Sequence, residues 1–372
     1  MNTMFDLFDI QIKDKRLKSP IAIASMAGIT NAEYIKNRAE WIGLACIGGY
    51  SIDKRTIEAS HALVNREREE FLFSNQESAL DAIEAQIKEI SDSKVVICVN
   101  LRASNTESLV IAARRLGANI IYEIDAHCRQ EEMIQAGCGE YLLTHTDILS
   151  QYISTLKAEG VLVSVKIRTG VCDDDAELAH LIWKAGADII HIDCMDEGAK
   201  AVRKIRNACP LFIIGNNSIS SFESAKEMLT YGADLISLAR MSHPNVLSDL
   251  YNEMIRYVKE IGWYNVPKQL CRGGDIRSLA FCCPPVKPCP LLPFLQEIEV
   301  SPQEFMEMKN AGAGLPLMIG QETCFGSLVF CCKSSTPCFG RDRALRQASM
   351  SKTTYMKEKR ALADKILSAV FA

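Results

Sequence analysis

The sequence predicts an α/β fold: a (β/α)8 TIM barrel followed by a small C-terminal cysteine-rich domain and a terminal helix. Three observations lead there. Eight short β-branched runs alternate with helical patterns. The runs are nearly continuous in apolar residues, as strands covered on both faces require. Eight of the 15 cysteines crowd into residues 271–338.

The strands are expected at 21–25 (IAIAS), 44–48 (LACIG), 95–99 (VVICV), 120–124 (IIYEI), 161–167 (VLVSVKI), 188–193 (DIIHID), 211–215 (LFIIG) and 234–238 (DLISL). A short repeat marks the unit: LGANIIYEID at 116–125, AGADIIHID at 185–193 and YGADLISLA at 231–239. In each, a glycine ends a helix where positive φ is needed, and a strand follows. A doubly wound open sheet is the alternative, weakened because no Gly-x-Gly-x-x-Gly follows the first strand. The division expected is 1–264 for the barrel, 265–345 for the cysteine-rich domain and 346–372 for the final helix.

Chemistry in such a barrel gathers at the C-terminal ends of the strands. Seven of the eight ends are polar, among them Ser25–Asn31, Asn100 with Arg102, Glu123–Arg129, Lys166–Gly170, His191–Cys194, Asn216–Ser218 and Ala239–Arg240. A lone polar residue there is usually a satisfied one; seven are harder to assign to packing.

These strand ends resemble the dihydrouridine synthase family of flavin barrels, over residues 20 to about 245. The resemblance is carried by SMAGITNAEY (25–34), YEIDAHCRQ (122–130), VKIRTG (165–170), IIGNNSI (213–219) and GADLISLAR (232–240). It implies FMN, with Met26, Ala27, Asn100, Lys166 and His191 around the ring. Asn216, Asn217, Ala239 and Arg240 would hold the phosphate. It makes Cys128 the general acid that gives a proton while the flavin gives a hydride, so its thiol must stay protonated until needed. Lys166 would stabilise negative charge on the reduced ring, and His191 would line the cofactor and face the substrate. Asp125 and Asp193 would stand on the substrate side. The sequence departs from the family's pattern at Ser25, Cys98, Arg129, Asp193, Asn217 and Ala239. Asp193 reverses the charge of an arginine usual there, and the family's helical tRNA-gripping domain is replaced by the cysteine block.

That block is a duplicated pattern. Cys271, Cys282, Cys283 and Cys289 are followed by Cys324, Cys331, Cys332 and Cys338, with cores FCCPPVKPC (281–289) and FCCKSSTPC (330–338). Four thiolates per copy suit a tetrahedral zinc or a [4Fe–4S] cluster and exclude magnesium or calcium. Adjacent cysteines point in different directions, so one copy per metal is only one grouping. Unligated cysteines or disulfides are the alternative. The block also resembles the domain that defines the ninth methanogenesis-marker family, some members of which join it to such a barrel. That resemblance implies an archaeal, methanogenic setting and a methanogenesis partner.

Composition bounds the rest. Apolar content of 48% and charged content of 24% are those of a globular chain. No apolar run reaches the ~18 residues of a membrane span. Residues 1–18 hold no apolar signal-peptide core, so a cytoplasmic location is expected. Residues 1–264 hold 28 Lys/Arg against 37 Asp/Glu, and residues 265–372 hold 14 against 9. The basic tail suits RNA, or cations that offset metal-bound thiolates.

Two functions follow. One is an FMN-dependent oxidoreductase, fed by Cys-ligated clusters, that reduces a small conjugated or pyrimidine-like molecule. The other is a metal-binding assembly or partner-binding protein whose barrel has lost flavin chemistry.

Overall fold

The computed structural model describes residues 7–286 and 288–372. The expectation about the first eighteen residues falls in part outside them, as does Lys287 of the first cysteine core.

Eight parallel strands close into a barrel in chain order. They are β1 (Ile21–Ile23), β2 (Leu44–Ser51), β3 (Val96–Arg102) and β4 (Ile121–Ala126), then β5 (Leu162–Arg168), β6 (Ile189–Asp193), β7 (Phe212–Asn216) and β8 (Leu235–Leu238). All eight expected strands are present. Residues of β2 and β4 are buried without interruption, which is why these runs show no polar alternation. Strands β2 and β3 run beyond their expected ends to Ser51 and Arg102. The two are register partners, so sheet pairing carries polar residues that read as loop in the sequence.

The three repeated segments have a common mechanics. Gly117, Gly186 and Gly232 have φ of 78°, 102° and 131°, as the helix-ending role requires. In the second and third segments an aspartate then ties the incoming strand to the one before it. Asp188 Oδ2 accepts from Val163 N at 2.9 Å, and Asp234 Oδ2 from Ile213 N at 2.8 Å. Side-chain caps start the intervening helices: Asn105 accepts from Ser108 N, Asn75 from Ser78 N and Asp53 from Thr56 N. Before β1, a short hairpin pairs Ile10–Ile12 with Lys15–Leu17.

The described residues cluster into two compact units: those up to Ala225 with Ala233–Asn252, and Lys226–Gly232 with Glu253 onward. All barrel strands lie in the first. The second holds a structural repeat wider than the cysteine pattern. A buried 3-10 turn (Ile276–Phe281), a short helix (Leu291–Glu297) and a helix (Pro302–Gly312) are matched by Leu328–Phe330, Phe339–Gln347 and Lys352–Val370. Details repeat as well. Glu299 and Ser349 both have positive φ, and Ser301 and Ser351 both cap the helix that follows. In the span expected for the terminal helix the structure has a helix over Lys352–Val370, separated from the Phe339–Gln347 helix where Ser349 turns and Ser351 starts anew. No helix among the described residues is long and apolar enough to cross a membrane.

Candidate active site at the mouth of the barrel

A cavity of about 970 Å³ opens where the strands end. Its wall includes Met26, Ala27, Asp125, Cys128, Lys166, Asp193, Asn216, Ala239 and Arg240, all expected there. His191, Asn100 and Asn217 are not in the wall.

The Cys128 turn is built from its neighbours. The Asp125 carboxylate accepts from the backbone N–H groups of His127 and Cys128 at 3.0 and 3.1 Å. Glu140 N donates to Cys128 O at 2.9 Å, and Gly139 packs so closely that a Cβ there would lie 2.2 Å from that oxygen. Burial pushes the Cys128 thiol above its ordinary value, against the pull of Arg102, so it is protonated at neutral pH. That is the state a general acid needs.

Arg102 organises one side. Its Nε donates to Asp125 Oδ2 at 3.0 Å and its Nη1 to Glu70 Oε2 at 2.6 Å. Burial opposes ionisation of Asp125, yet Arg102 holds its carboxyl below the usual range, whereas burial raises Glu70. Glu70 belongs to a segment, Glu67–Glu70, that forms part of the wall. Phe71 and Phe73 anchor the segment on Tyr50, with ring centroids 4.8 and 6.2 Å away. Asp193 faces a second cluster. Its Oδ2 lies 2.8 Å from His127 Nε2, and Arg168 lies 3.0 Å from the same imidazole nitrogen. The reversed charge at 193 is thus compensated within the wall.

Lys166 reaches the cavity with its ammonium donating to Ser25 O and Oγ at 3.2 and 3.0 Å. His191 lies one level down and is wholly buried, so it does not face a substrate as expected. Its Nδ1 meets Glu123 Oε2 at 2.8 Å and its Nε2 meets Ser237 Oγ at 2.7 Å. Asn216 also donates to Ser237 Oγ, at 2.9 Å, so a buried chain runs from Glu123 to the wall. Burial disfavours a charged imidazole, but Glu123 outweighs it and raises His191 to about 9. Asn100 donates to Glu123 Oε1 at 2.9 Å, leaving its buried Oδ1 without a partner. A Cβ at Gly49, a wall residue, would lie 2.8 Å from that oxygen.

The cavity offers features that suit a flavin phosphate and ring. Asn100 Oδ1 is an unused acceptor behind Gly49, and Lys166 is a cation in the wall. Among the described residues none accepts from the backbone N–H groups of Ser218 or Arg240. These groups stand after β7 and β8, where such barrels hold phosphate. Asn217 lies outside the wall, so its side chain is not part of that cradle.

Metal-ligating groups are arranged less simply. Cys46, Cys98 and Glu123 bring ligand atoms within 4.8 Å of one another beneath the cavity. Both Glu123 oxygens are already hydrogen-bonded, to Asn100 and to Ser164 with His191, so this trio reads as packing around a buried ion pair. Among the described residues no three of the eight C-terminal sulfurs lie that close. A tetrahedral zinc, with Zn–S of about 2.3 Å, needs sulfurs about 3.8 Å apart. The donor chemistry fits a soft metal, but a mononuclear site is not pre-formed.

The closed parallel barrel with polar residues gathered at its C-terminal mouth defines an α/β enzyme-type scaffold. Residues 69–265 match the family described as "Dihydrouridine synthase (Dus)", and the chain belongs to that family. Two relatives are uncharacterized proteins of Methanocaldococcus jannaschii. MJ0115 is 47% identical over 108 residues, 29% of this chain and 70% of its own length. MJ0144 is 29% identical over 262 residues, 68% of this chain and 96% of its own. The crystal structure of DHODH from Eimeria tenella in complex with ferulenol has a TM-score of 0.51 at 14% identity, covering 69% of this chain and 86% of that one. That likeness is one of fold.

The sequence placed Arg102, His127, Arg168 and Asp193 at strand ends, but it did not show Glu70 or the pairing: Arg102 with Glu70, and His127 with Asp193 and Arg168. The signal available was the run of guanidinium and carboxylate residues at strand ends, which only spatial pairing turns into a pattern.

Proposed function

We propose that the protein is an FMN-dependent oxidoreductase linked to methanogenesis, reducing a small conjugated or pyrimidine-like molecule. The observation that carries this reading is one cavity wall shared by Cys128, Lys166 and the loops after β7 and β8. FMN, when bound, supplies the hydride. The chain's own residues do the rest. Backbone N–H groups at Ser218 and Arg240, with the Arg240 guanidinium, hold the phosphate. Lys166 stabilises negative charge near the ring. Cys128, protonated, gives its proton to the substrate carbon opposite the hydride. Asp125 fixes the Cys128 turn and Asp193 faces the substrate.

Five carboxylates share the wall with six cationic side chains, so a small molecule is favoured over RNA, whose phosphates need a clear cationic excess. The C-terminal cysteines bind metal, iron–sulfur ahead of zinc because Pro284 and Pro290 directly follow cysteines, as in some ferredoxin-type sites. Clusters of that kind would supply the electrons that a bound flavin needs. The relatives from Methanocaldococcus support the methanogenic setting, and the cytoplasm is the proposed location.

His191, sealed below the floor, and Asn217, outside the wall, favour the second reading, a metal-carrying partner protein without flavin chemistry. The absorbance spectrum of anaerobically purified protein decides between them. Flavin bands with broad visible iron absorption are expected. A colourless protein containing zinc alone would sink the oxidoreductase reading.

A further inference from the structure

We propose that the two Cys-Cys pairs of the C-terminal unit form a single metal site shared by both copies of the repeat. Cys282 and Cys283 would come from one copy, Cys331 and Cys332 from the other, with Lys309 and Lys359 as buried counter-charges. The inference rests on the metal reading above and alters its grouping, which would otherwise place one metal in each copy.

The two lysines carry the argument. Both are wholly buried. Lys359 Nζ donates to Ala280 O at 2.7 Å and to Val329 O at 2.6 Å. Those carbonyls occupy matching positions, each two residues before its Cys-Cys pair, so one ammonium holds the entry to both. Lys309 Nζ donates to Cys282 O at 2.6 Å. The rings around them are exchanged between copies. Lys309 lies over Phe305 of its own helix and Phe330 of the other copy, at 5.3 and 4.9 Å. Lys359 lies over Tyr355 of its own helix and Phe281 of the other copy, at 5.7 and 5.4 Å. Phe305 and Tyr355 are matching residues of the repeat, as are Phe330 and Phe281.

Ammonium groups are almost never fully buried without a partner of opposite charge. Among the described residues neither lysine pairs with a carboxylate. Burial is the largest influence on both and drives them toward the neutral amine; the groups that oppose it on Lys309 are Cys282, Cys283, Cys331 and Cys332, and on Lys359 they are Cys331, Cys282 and Cys332. A metal that draws thiolates from these four sulfurs would supply the anions that keep both lysines charged. Four thiolates on a divalent ion, or on an oxidised four-iron cluster, leave a charge of about −2, which two ammonium groups balance. After burial, Cys332 of the other copy is the largest influence on Cys283. The quartet as a whole is not at ligand distance, so ligation completes the site. Cys271 and Cys324 are exposed, unlike the four.

The test uses wild-type protein. Metal is withdrawn stepwise with a chelator, and each cysteine is followed by alkylation and mass spectrometry. Cys282, Cys283, Cys331 and Cys332 are expected to become reactive together. Release in two sets, one from residues 271–289 and the other from 324–338, would overturn the shared site while leaving the metal reading intact. Protein purified without metal would overturn both. As a second measurement, Cys283→Ser, Cys332→Ser and the double variant should show the same loss of metal. Single variants that each lose one metal, with the double losing both, would favour one site per copy.

Discussion

The barrel mouth and the C-terminal unit neutralise buried charge in different ways. In the mouth, guanidinium meets carboxylate: Arg102 is held between Glu70 and Asp125, and Arg168 stands beside Asp193. In the C-terminal unit, two buried lysines, Lys309 and Lys359, find carbonyls and aromatic rings, and no carboxylate among the described residues. A site whose charges close within the chain can be read from the chain alone. A site whose lysines meet no carboxylate leaves their charge to be set by burial.

The largest expected effect tests the mouth. Cys128→Ala should slow substrate reduction by about 10²–10⁴-fold, the usual share of a general acid, with flavin content unchanged. Single-turnover oxidation of the reduced flavin by substrate measures it. The wild-type rate should hold through neutral pH and fall only above the ordinary thiol range, because burial raises the Cys128 thiol. A Cys128→Ala enzyme with the wild-type rate would remove the assigned role.

Next in size, Arg102→Met strands two buried carboxylates and should cost about 3–5 kcal/mol in chemical denaturation. The matching change in the other unit should be milder. In metal-free protein burial drives Lys359 toward the neutral amine, so Lys359→Met should cost less than Arg102→Met in the same measurement. With metal bound, the same change should weaken retention against a chelator. Equal destabilisation of both variants without metal would erase the contrast.

A smaller effect follows pH. Glu123 raises His191 to about 9, above an unfolded value near 6.5. The stability from this pair is complete below the unfolded value and is lost as pH rises through about 9. Melting temperature should decline over that window, and His191→Gln should remove that part of the slope. Smallest, Asn105→Ala and Ser351→Ala each delete a helix cap and should cost about 1 kcal/mol by the same denaturation measurement.

The strands were legible because runs such as Leu44–Ile47 and Ile121–Ile124 are buried on both faces and carry no competing signal. Their order and their polar ends then located the mouth. Depth along a strand was not legible. Lys166 and His191 are register partners, yet the long lysine reaches the cavity while the short imidazole stays at its strand's level. The Glu67–Glu70 wall was missed because its place depends on Phe71 and Phe73 meeting Tyr50, a contact no local pattern encodes. The wider C-terminal repeat was present as equal spacings of Ser301 to Ser351 and Lys309 to Lys359. Divergent surface residues hid it, and the cysteines alone drew notice.

The exchanged rings around Lys309 and Lys359 have a consequence for how such a unit arises. One copy of the repeat carries one lysine, one helix ring and one turn ring, so its half of the cluster meets complementary parts only in a second copy. As separate chains, two copies would hold together only above their dissociation constant. Joined by a short connection, they meet at an effective concentration on the order of millimolar, and dilution no longer separates them. Duplication within one chain thus turns a concentration-dependent dimer contact into a permanent interior.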